Sequence, residues 1–216
     1  MLPSDLLRRI TSGDVEGIKP SAFDLPEGDK LNEAISQSWT RLQKHWKEFA
    51  EAREGLADDQ PGTEITNQRW LLPLFSALGY GKLTTSQSPV IDEKSYPISR
   101  VWDKTPIHLV GCNISLDKRT PGVKGAATST PHSMVQEFLN RSEEHLWAFV
   151  SNGTRLRILR DNIALSRQSY VEFDLEAMFE GEVYADFGLL WLLCHYTRVE
   201  TGDDGKPESC WLEKWS

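Results

Sequence analysis

The chain has 216 residues, with 39% hydrophobic and 26% charged side chains and a formal net charge of −8. This composition excludes a chain that is disordered throughout, and the length allows one large domain or two small ones. No stretch approaches the ~18 apolar residues that a membrane helix needs, and residues 1–5 lack the basic-then-apolar layout of a signal peptide. The three cysteines are too few and too scattered for a disulfide framework or a zinc site. We therefore expect a cytoplasmic protein without a membrane partner or a metal site.

The first strong pattern predicts a long amphipathic helix from residue 30 to about residue 57, after a short helix and a loop within 1–29. Asp29 is placed to cap its start, and Gly55 lies near its end. Residues 1–59 are therefore predicted to be an N-terminal helical extension. Apolar side chains recur in the helix at steps of three and four, which match the helical repeat; they are Leu31, Ile35, Trp39, Leu42, Trp46 and Phe49.

A second helix and a group of strands are predicted next. The helix runs from residue 64 to residue 78, with Thr63 as its cap and a bend at Pro73. Three segments then combine β-branched or aromatic residues with Pro, Gly or Asp boundaries, which predicts strands at 83–85, 95–102 and 106–112. The last strand is mostly apolar, so it should be covered on both faces, with His108 as a hydrogen-bonded core residue.

The clearest local signal is a hairpin between residues 146 and 159, which follows a flexible loop at 119–129 and a helix from Thr130 to Arg141. Asn-Gly at positions 152 and 153 supplies the positive φ angles of a tight hairpin. On the return strand, apolar residues alternate with Arg155 and Arg157. This alternation predicts one buried face and one basic face.

The remaining residues are predicted to be mainly helical. After a strand at 170–173, Asp174 caps a short helix, and a long apolar helix runs from 183 to 198. Apolar side chains of the tail, residues 201–216, stand at helical spacing. The tail therefore packs either on the body of the domain or on polypeptide with which a longer protein would continue. The succession of elements predicts an α/β fold with a central mixed β-sheet flanked by helices.

Charge is distributed unevenly along the sequence. The span from Lys94 to Arg167 contains 11 Lys or Arg and 6 Asp or Glu, a balance of +5, whereas the rest of the chain has a balance of −13. This pattern indicates either a basic face on an acidic body or an ordinary solvated surface.

A metal site that cuts DNA needs two or three carboxylates around Mg²⁺ and a nearby lysine. The candidates are Glu64, Asp103 and Asp117, the last with Lys118 beside it. Each carboxylate also fits an ordinary role, at a helix N-terminus, in a turn and in a solvated loop respectively. The sequence has no loop motif for nucleotide phosphates and no serine nucleophile elbow.

Three stretches resemble the PD-(D/E)XK nuclease-like module at the N-terminus of restriction proteins. They are the helix ending in Leu-Gly-Tyr at 64–80, the helix with Gln136 at 132–140, and the hairpin at 146–161. The run from Gln136 to Arg160 and the later Glu172-Phe-Asp-Leu-Glu are similar, more narrowly, to the N-terminal region of large adenine-N6 DNA methyltransferases. These occur in fused restriction–modification proteins and in phage-defence systems such as DISARM. The resemblance covers about residues 60–200 and implies a restriction-endonuclease-like fold.

The sequence also departs from that module. A nuclease site of this kind needs an Asp at one strand end and Glu-x-Lys or Asp-x-Lys on the next strand, but the strand at 107–112 has no acid and no lysine. Methyltransferase motifs are absent as well, so S-adenosylmethionine would be bound only in a region missing from this chain, toward which residues 201–216 lead. The resemblance thus implies a catalytically degenerate domain without a cofactor, and Mg²⁺ only if the site is active.

Three functions remain open. The first is a non-catalytic nuclease-like domain that binds DNA or packs on a methyltransferase domain or another defence-system subunit. The second is an active Mg²⁺-dependent endonuclease with Glu64, Asp103, Asp117, Lys118 and Gln136 as site residues. The third is an acidic protein-interaction module without DNA binding. The candidate DNA-binding residues are Arg100, Lys118, Arg119, Lys124, Arg155, Arg157 and Arg160.

Overall fold

Six strands form one mixed sheet in the computed structural model of the chain, which describes residues 5–161, 170–202 and 205–216. The sheet order is β1-β4-β5-β6-β7-β8, and β2 pairs separately with β3. Neighbours β5 and β6 are parallel, while the other paired strands are antiparallel. The strands are β1 Thr84–Thr85, β2 Val90–Ile91, β3 Lys94–Ser95, β4 Arg100–Trp102, β5 Thr105–Leu109, β6 Trp147–Ser151, β7 Arg155–Arg160 and β8 Tyr170–Asp174.

Helices flank this sheet, so the predicted α/β class with a central mixed sheet is confirmed. Short 3₁₀ turns lie at Pro20–Phe23, Tyr196–Arg198 and Pro207–Ser209, and a π-helical segment lies at Thr66–Leu71. The α-helices of the described residues are α1 Leu6–Ser12, α2 Leu31–Glu54, α3 Thr63–Ile65, α4 Leu72–Ala77, α5 Pro131–Arg141, α6 Leu175–Glu180, α7 Tyr184–Cys194 and α8 Trp211–Lys214.

Helix α5 is the crossover between the parallel strands β5 and β6, which cannot be joined by a tight turn. It begins as predicted, because the Thr130 side chain accepts a hydrogen bond from the Ser133 amide and Pro131 occupies the first turn. Both strands are buried along their whole length, since α5 covers one face of the sheet and α2 and α4 cover the other. The predicted covered strand is therefore confirmed, although β5 ends at Leu109.

Helix α2 packs a row of aromatic and aliphatic side chains against other helical segments. Trp46 packs edge-on against Trp70 at 5.1 Å between ring centroids, and Phe179 completes this aromatic group. The helix begins after Lys30, which makes no side-chain cap bond, so the prediction of an Asp29 cap is wrong. Its buried residues are Ile35, Ser38, Trp39, Leu42, Trp46 and Phe49.

The second predicted helix is interrupted by the π-helical segment that ends just before Pro73 and α4. Such a segment widens the backbone, here in the turn before a proline that lacks an amide proton. Thr66 Oγ1 donates to Gly62 O at 2.7 Å and accepts from the Cys112 amide at 3.0 Å, which ties the helix start to the segment after β5. Gly62, with φ 71°, occupies the cap position, so the prediction of a Thr63 cap is wrong.

Two predicted elements are shorter than their sequence patterns. The strand predicted at 95–102 is strand only at its two ends, because the Tyr96 and Ile98 side chains leave the ladder and enter the core beneath α5. The helix predicted at 183–198 ends at Cys194, and a 3₁₀ turn follows.

The tail packs on the body of the domain. Leu212 is fully buried, and Trp215 Nε1 donates to the Glu16 carbonyl at 2.9 Å. Side chains of residues 1–59, the sheet and the tail therefore share one hydrophobic core.

Candidate nucleic-acid interface

The hairpin of β6 and β7 is present as predicted, but its turn works differently. Gly153 has a positive φ of 86°, whereas Asn152 does not have a positive φ. Instead, Asn152 Oδ1 accepts hydrogen bonds from the backbone amides of Thr154 and Arg155. The turn is also buried against the second helix, since Trp70 Nε1 donates to the Gly153 carbonyl at 2.8 Å.

Arg157 points into the protein, so the prediction of a basic hairpin face is wrong. Its side chain is about 5% exposed. Its guanidinium donates to both Asp117 oxygens at 2.6 and 2.7 Å and to Glu172 at 2.6 Å, and lies 4.5 Å from the Tyr170 ring centroid. The hydrogen bonds to Asp117 raise the pKa of Arg157 and lower that of the carboxyl. The positive charge of Arg157 is therefore neutralised inside the protein and is not available to bind DNA.

The other two hairpin arginines are also paired with acids. Arg155 forms an ion pair with Asp174, and Arg160 forms one with Glu213 at 2.5 Å. The acidic partners come from β8, the strand that follows β7 along the chain, and from α8 near the end of the chain. Because all three arginines are neutralised locally, alternation along β7 does not create a basic surface. Arg167, at the end of the basic span, lies outside the described residues.

Four of the predicted DNA-binding residues keep their positive charge available. One of them is at the start of β4, and the other three lie in the loop after β5. None forms an ion pair with another residue of the described ranges 5–161, 170–202 and 205–216. Arg100 donates a hydrogen bond to Thr85 Oγ1, which leaves its charge uncompensated. We call this set the loop cations: Arg100, Lys118, Arg119 and Lys124.

The loop cations line two clefts, and the segment 117–130 contributes residues to both. An open cleft of about 660 Å³ contains Lys118 and Arg119, together with hydroxyl groups around the start of α5. A narrower cleft of about 280 Å³, which we call the β5-end cleft, contains Arg100 and Lys124. The β5-end cleft lies where β4 begins and β5 ends, since Arg100 and Leu109 line it.

The β5-end cleft has both apolar and polar walls, and no carboxylate lines it among the residues that the structure describes. Its walls come from the start of the second helix, from residues around the beginning of β4, and from His108 on β5. His108 Nε2 bonds the Gly125 carbonyl at 3.2 Å, while Nδ1 is buried without a partner. The prediction that His108 is a fully hydrogen-bonded core residue is therefore wrong. The Asn67 Oδ1 atom is likewise buried without a partner.

The three candidate carboxylates are not brought together. Glu64 follows Thr63, which lines the β5-end cleft. Asp103 lies in the β4–β5 turn at the opposite end of those strands, where its side chain accepts hydrogen bonds from the Thr201 amide and hydroxyl. At about 3.3 Å per strand residue, roughly 10 Å or more separates the two ends. The Asp117 carboxylate forms an ion pair with Arg157. The described residues contain no cluster of three metal-binding side chains.

The other two residues of the nuclease hypothesis also have defined positions. Lys118 is exposed on the loop next to Asp117. Gln136 donates to the Arg160 carbonyl and to Asn140 Oδ1, both at 2.9 Å. This contact fastens α5 to β7, so Gln136 is accounted for by its structural contacts.

We predict that acid destabilises the protein, because three of its histidines are buried. Burial lowers the pKa of His108 and of His132 to about 4 and that of His195 to about 3. The unfolded chain therefore binds protons first as the pH falls below about 6.5, and the free energy of unfolding should decrease between pH 6.5 and 4. Each histidine can contribute up to about 3 kcal/mol. Denaturant titrations across this range measure the loss; a constant free energy from pH 7 to 4.5 would contradict it.

Comparison of the chain with protein-family models, curated proteins and solved structures finds no match. Within the described residues, no helix combines the length and apolarity needed to span a bilayer. The assignment of function therefore depends on the clefts and charges themselves.

Proposed function

We propose that this chain is a non-catalytic, nuclease-like domain of a DNA restriction–modification or phage-defence methyltransferase, and that it binds DNA through the loop cations. The succession of helix, strands, helix and hairpin behind the resemblance supports a restriction-endonuclease-like arrangement. The second helix precedes β1, β4 and β5, and α5 leads to the hairpin of β6 and β7.

The residues of β4, of β5 and of the turn between them support the proposed absence of cleavage activity. A nuclease centre of the resembled type combines an Asp at a strand end with an acid and a lysine on the next strand. Here Asp103 is followed by β5, whose residues Thr105–Leu109 include neither an acid nor a lysine. At the other end, the β5-end cleft presents Arg100 and His108 instead of carboxylates. No cofactor is proposed for this chain.

One observation carries the DNA-binding proposal: the loop cations lack acidic partners, whereas the hairpin arginines are all paired. Lysine and arginine side chains that face solvent beside hydroxyl groups suit the phosphate backbone, because each neutralised phosphate releases condensed counterions. Four such contacts correspond to a slope of about −3.6 for log affinity against log salt concentration. Binding of this type is weak, independent of sequence and strongly dependent on salt.

We expect the double variant K118A/R119A to lose about tenfold in affinity for duplex DNA and to reduce the magnitude of the salt slope by about two. Both side chains are exposed, so the fold should be retained. Fluorescence anisotropy at several salt concentrations measures both quantities. The matched control is R41A/K47A, which removes one arginine and one lysine from exposed positions on α2 and should leave the affinity nearly unchanged.

Two results would contradict this proposal. Equal loss of affinity in both double variants would show that only net charge matters, and absence of duplex binding by the wild-type protein would remove the function. Plasmid nicking with Mg²⁺ or Mn²⁺ that disappears in E64Q would favour the endonuclease alternative. Glu64 is the residue to test because Asp117→Ala would also release the buried Arg157.

A protein partner is the second candidate, and one surface favours it. An apolar groove of about 430 Å³ lies between α1, α2 and α7, and Tyr184 at its edge is 41% exposed. Exposed aromatic and aliphatic side chains around a groove are typical of protein-binding surfaces. Packing on a methyltransferase domain or another defence-system subunit would use this side of the molecule. A partner captured without DNA, and lost on Tyr184→Ser, would support this candidate.

A further inference from the structure

The segment 117–130, which carries three of the loop cations, begins with an acid, Asp117. A carboxylate beside Lys118 lowers the local positive potential, so by charge alone it weakens the proposed interface with DNA phosphates. The open cleft is lined by Asp117 together with Lys118 and Arg119, so the acid is part of the same surface. Its presence there indicates a contribution other than charge.

The Asp117 side chain fastens this loop to the sheet. Arg157 donates to its two oxygens at 2.6 and 2.7 Å, and such a bidentate pair fixes the orientation of the carboxylate as well as its distance. Arg157 is itself held on β7, because its Nε donates to Glu172 at 2.6 Å. The Asp117 side chain is 57% exposed and that of Arg157 is 5% exposed, so the pair joins the buried sheet to a surface loop.

The backbone beyond the first two cations of the loop is held as well. The Thr120 amide donates to the Ala126 carbonyl at 2.8 Å, and Ala126 is fully buried. Lys118 and Arg119 therefore occupy a two-residue span between Thr120 and Asp117, with their side chains exposed. A loop whose backbone is fixed before binding loses less conformational entropy when its side chains contact phosphates.

We propose that Asp117 is a positioning residue of the DNA-binding surface: through its ion pair with Arg157, it holds Lys118 and Arg119 in place to contact phosphates. This inference rests on the proposed DNA-binding function. Arg157, a candidate DNA contact by its sequence pattern, then contributes to binding without touching DNA. Its guanidinium also neutralises the Asp117 charge, which limits the electrostatic cost of an acid at this position.

The two acids that pair with Arg157 provide a matched comparison. Asp117→Asn and Glu172→Gln each remove one negative charge and one acidic partner of Arg157, but only Asp117 belongs to the loop. We expect Asp117→Asn to weaken duplex binding by about threefold, because the loop is no longer fixed before binding. Glu172→Gln should leave the affinity unchanged or raise it slightly. Fluorescence anisotropy at one salt concentration measures both affinities, after denaturant unfolding has verified that each variant is folded.

Two further variants at the same position separate positioning from charge. Asp117→Glu keeps a carboxylate on a longer side chain that can still pair with Arg157, so it should bind the duplex more tightly than Asp117→Asn does. Charge alone predicts the opposite order, because the glutamate variant is the more negative of the two. Asp117→Ser also lacks the carboxylate and should lose as much affinity as Asp117→Asn, so it replaces that variant if the asparagine form does not fold.

Combining Asp117→Asn with K118A/R119A shows whether Asp117 acts through the two cations. We expect no further loss of affinity, because a residue that only positions Lys118 and Arg119 has no effect once both side chains are removed. A comparable further loss in the triple variant would overturn the inference, and so would tighter duplex binding by Asp117→Asn and Asp117→Ser than by the wild-type protein. Either result leaves the DNA-binding function intact. Failure of the wild-type protein to bind any duplex would instead remove that function and this inference with it.

Discussion

Replacing Arg198 with methionine is expected to lower the free energy of unfolding by about 3 kcal/mol. The Arg198 side chain is fully buried and donates hydrogen bonds to the carbonyls of Gly17 and Ala22. Hydrogen bonds from a charged donor contribute about 1.5–3 kcal/mol each, and the variant leaves both carbonyls unpaired. Relief from burying a charge, which lowers the pKa of Arg198 to about 9, offsets part of this loss.

Aromatic rings add to the effect of this variant. The guanidinium carbon lies 3.9 Å from the Phe23 ring centroid and 5.1 Å from that of Trp215, so Arg198 connects the N-terminal segment to the tail. Arg198→Lys should recover little stability, because an ammonium group lacks the planar fork that reaches two carbonyls. Denaturant unfolding measures both variants, with the exposed Arg41→Met as control. A loss below 1 kcal/mol for Arg198→Met would contradict this account.

Arg157→Met is expected to destabilise the protein by about 3 kcal/mol, because it leaves Asp117 and Glu172 without their cation. This value is at the low end for a broken buried ion pair, since Asp117 is partly hydrated. Arg155→Met, which breaks a more exposed pair, should cost less than 1 kcal/mol. Unfolding free energies of both variants make the comparison.

A double-mutant cycle identifies the source of the Arg157 effect. If the carboxylate is the main partner, Asp117→Asn should reduce the cost of removing Arg157 by at least 1 kcal/mol. Additive losses would instead assign the effect to the Glu172 pair and to packing on Tyr170. The same reasoning shows that charge reversal at Arg157 reports on folding, so it is unsuitable as a test of DNA binding.

Much of the fold could be predicted because local patterns determine it. The spacing of apolar residues in 30–57, the cap at Thr130 and the turn at Gly153 depend on neighbours in sequence, and each corresponds to an observed element. The strand at 95–102 could not be predicted correctly, because burial of Tyr96 and Ile98 under α5 interrupts the ladder. Such tertiary packing leaves no local signature.

The candidate site was predicted less well, for a related reason. Alternation of arginines with apolar residues along β7 creates a basic face only if no acidic side chain pairs with the arginines. In the structure, acids at positions 117, 172, 174 and 213 do pair with them. Sequence separations of up to 53 residues hide these pairings. The loop cations are the predicted DNA-binding residues whose charge stays available, because no acidic side chain among the described residues pairs with them. The buried, unpartnered atoms Asn67 Oδ1 and His108 Nδ1 depend on tertiary packing, which no periodicity encodes.

The buried turn at Gly153 has a consequence for how this domain could evolve. Turns that connect two strands usually lie in solvent and accept inserted residues at little cost in stability. Here a Cβ at Gly153 would lie 2.6 Å from the Thr66 methyl group, and Trp70 bonds the glycine carbonyl. The β6–β7 connection is thus unsuited to lengthening or to fusion of another module. Acquired segments would have to enter at solvent-facing connections such as 58–60.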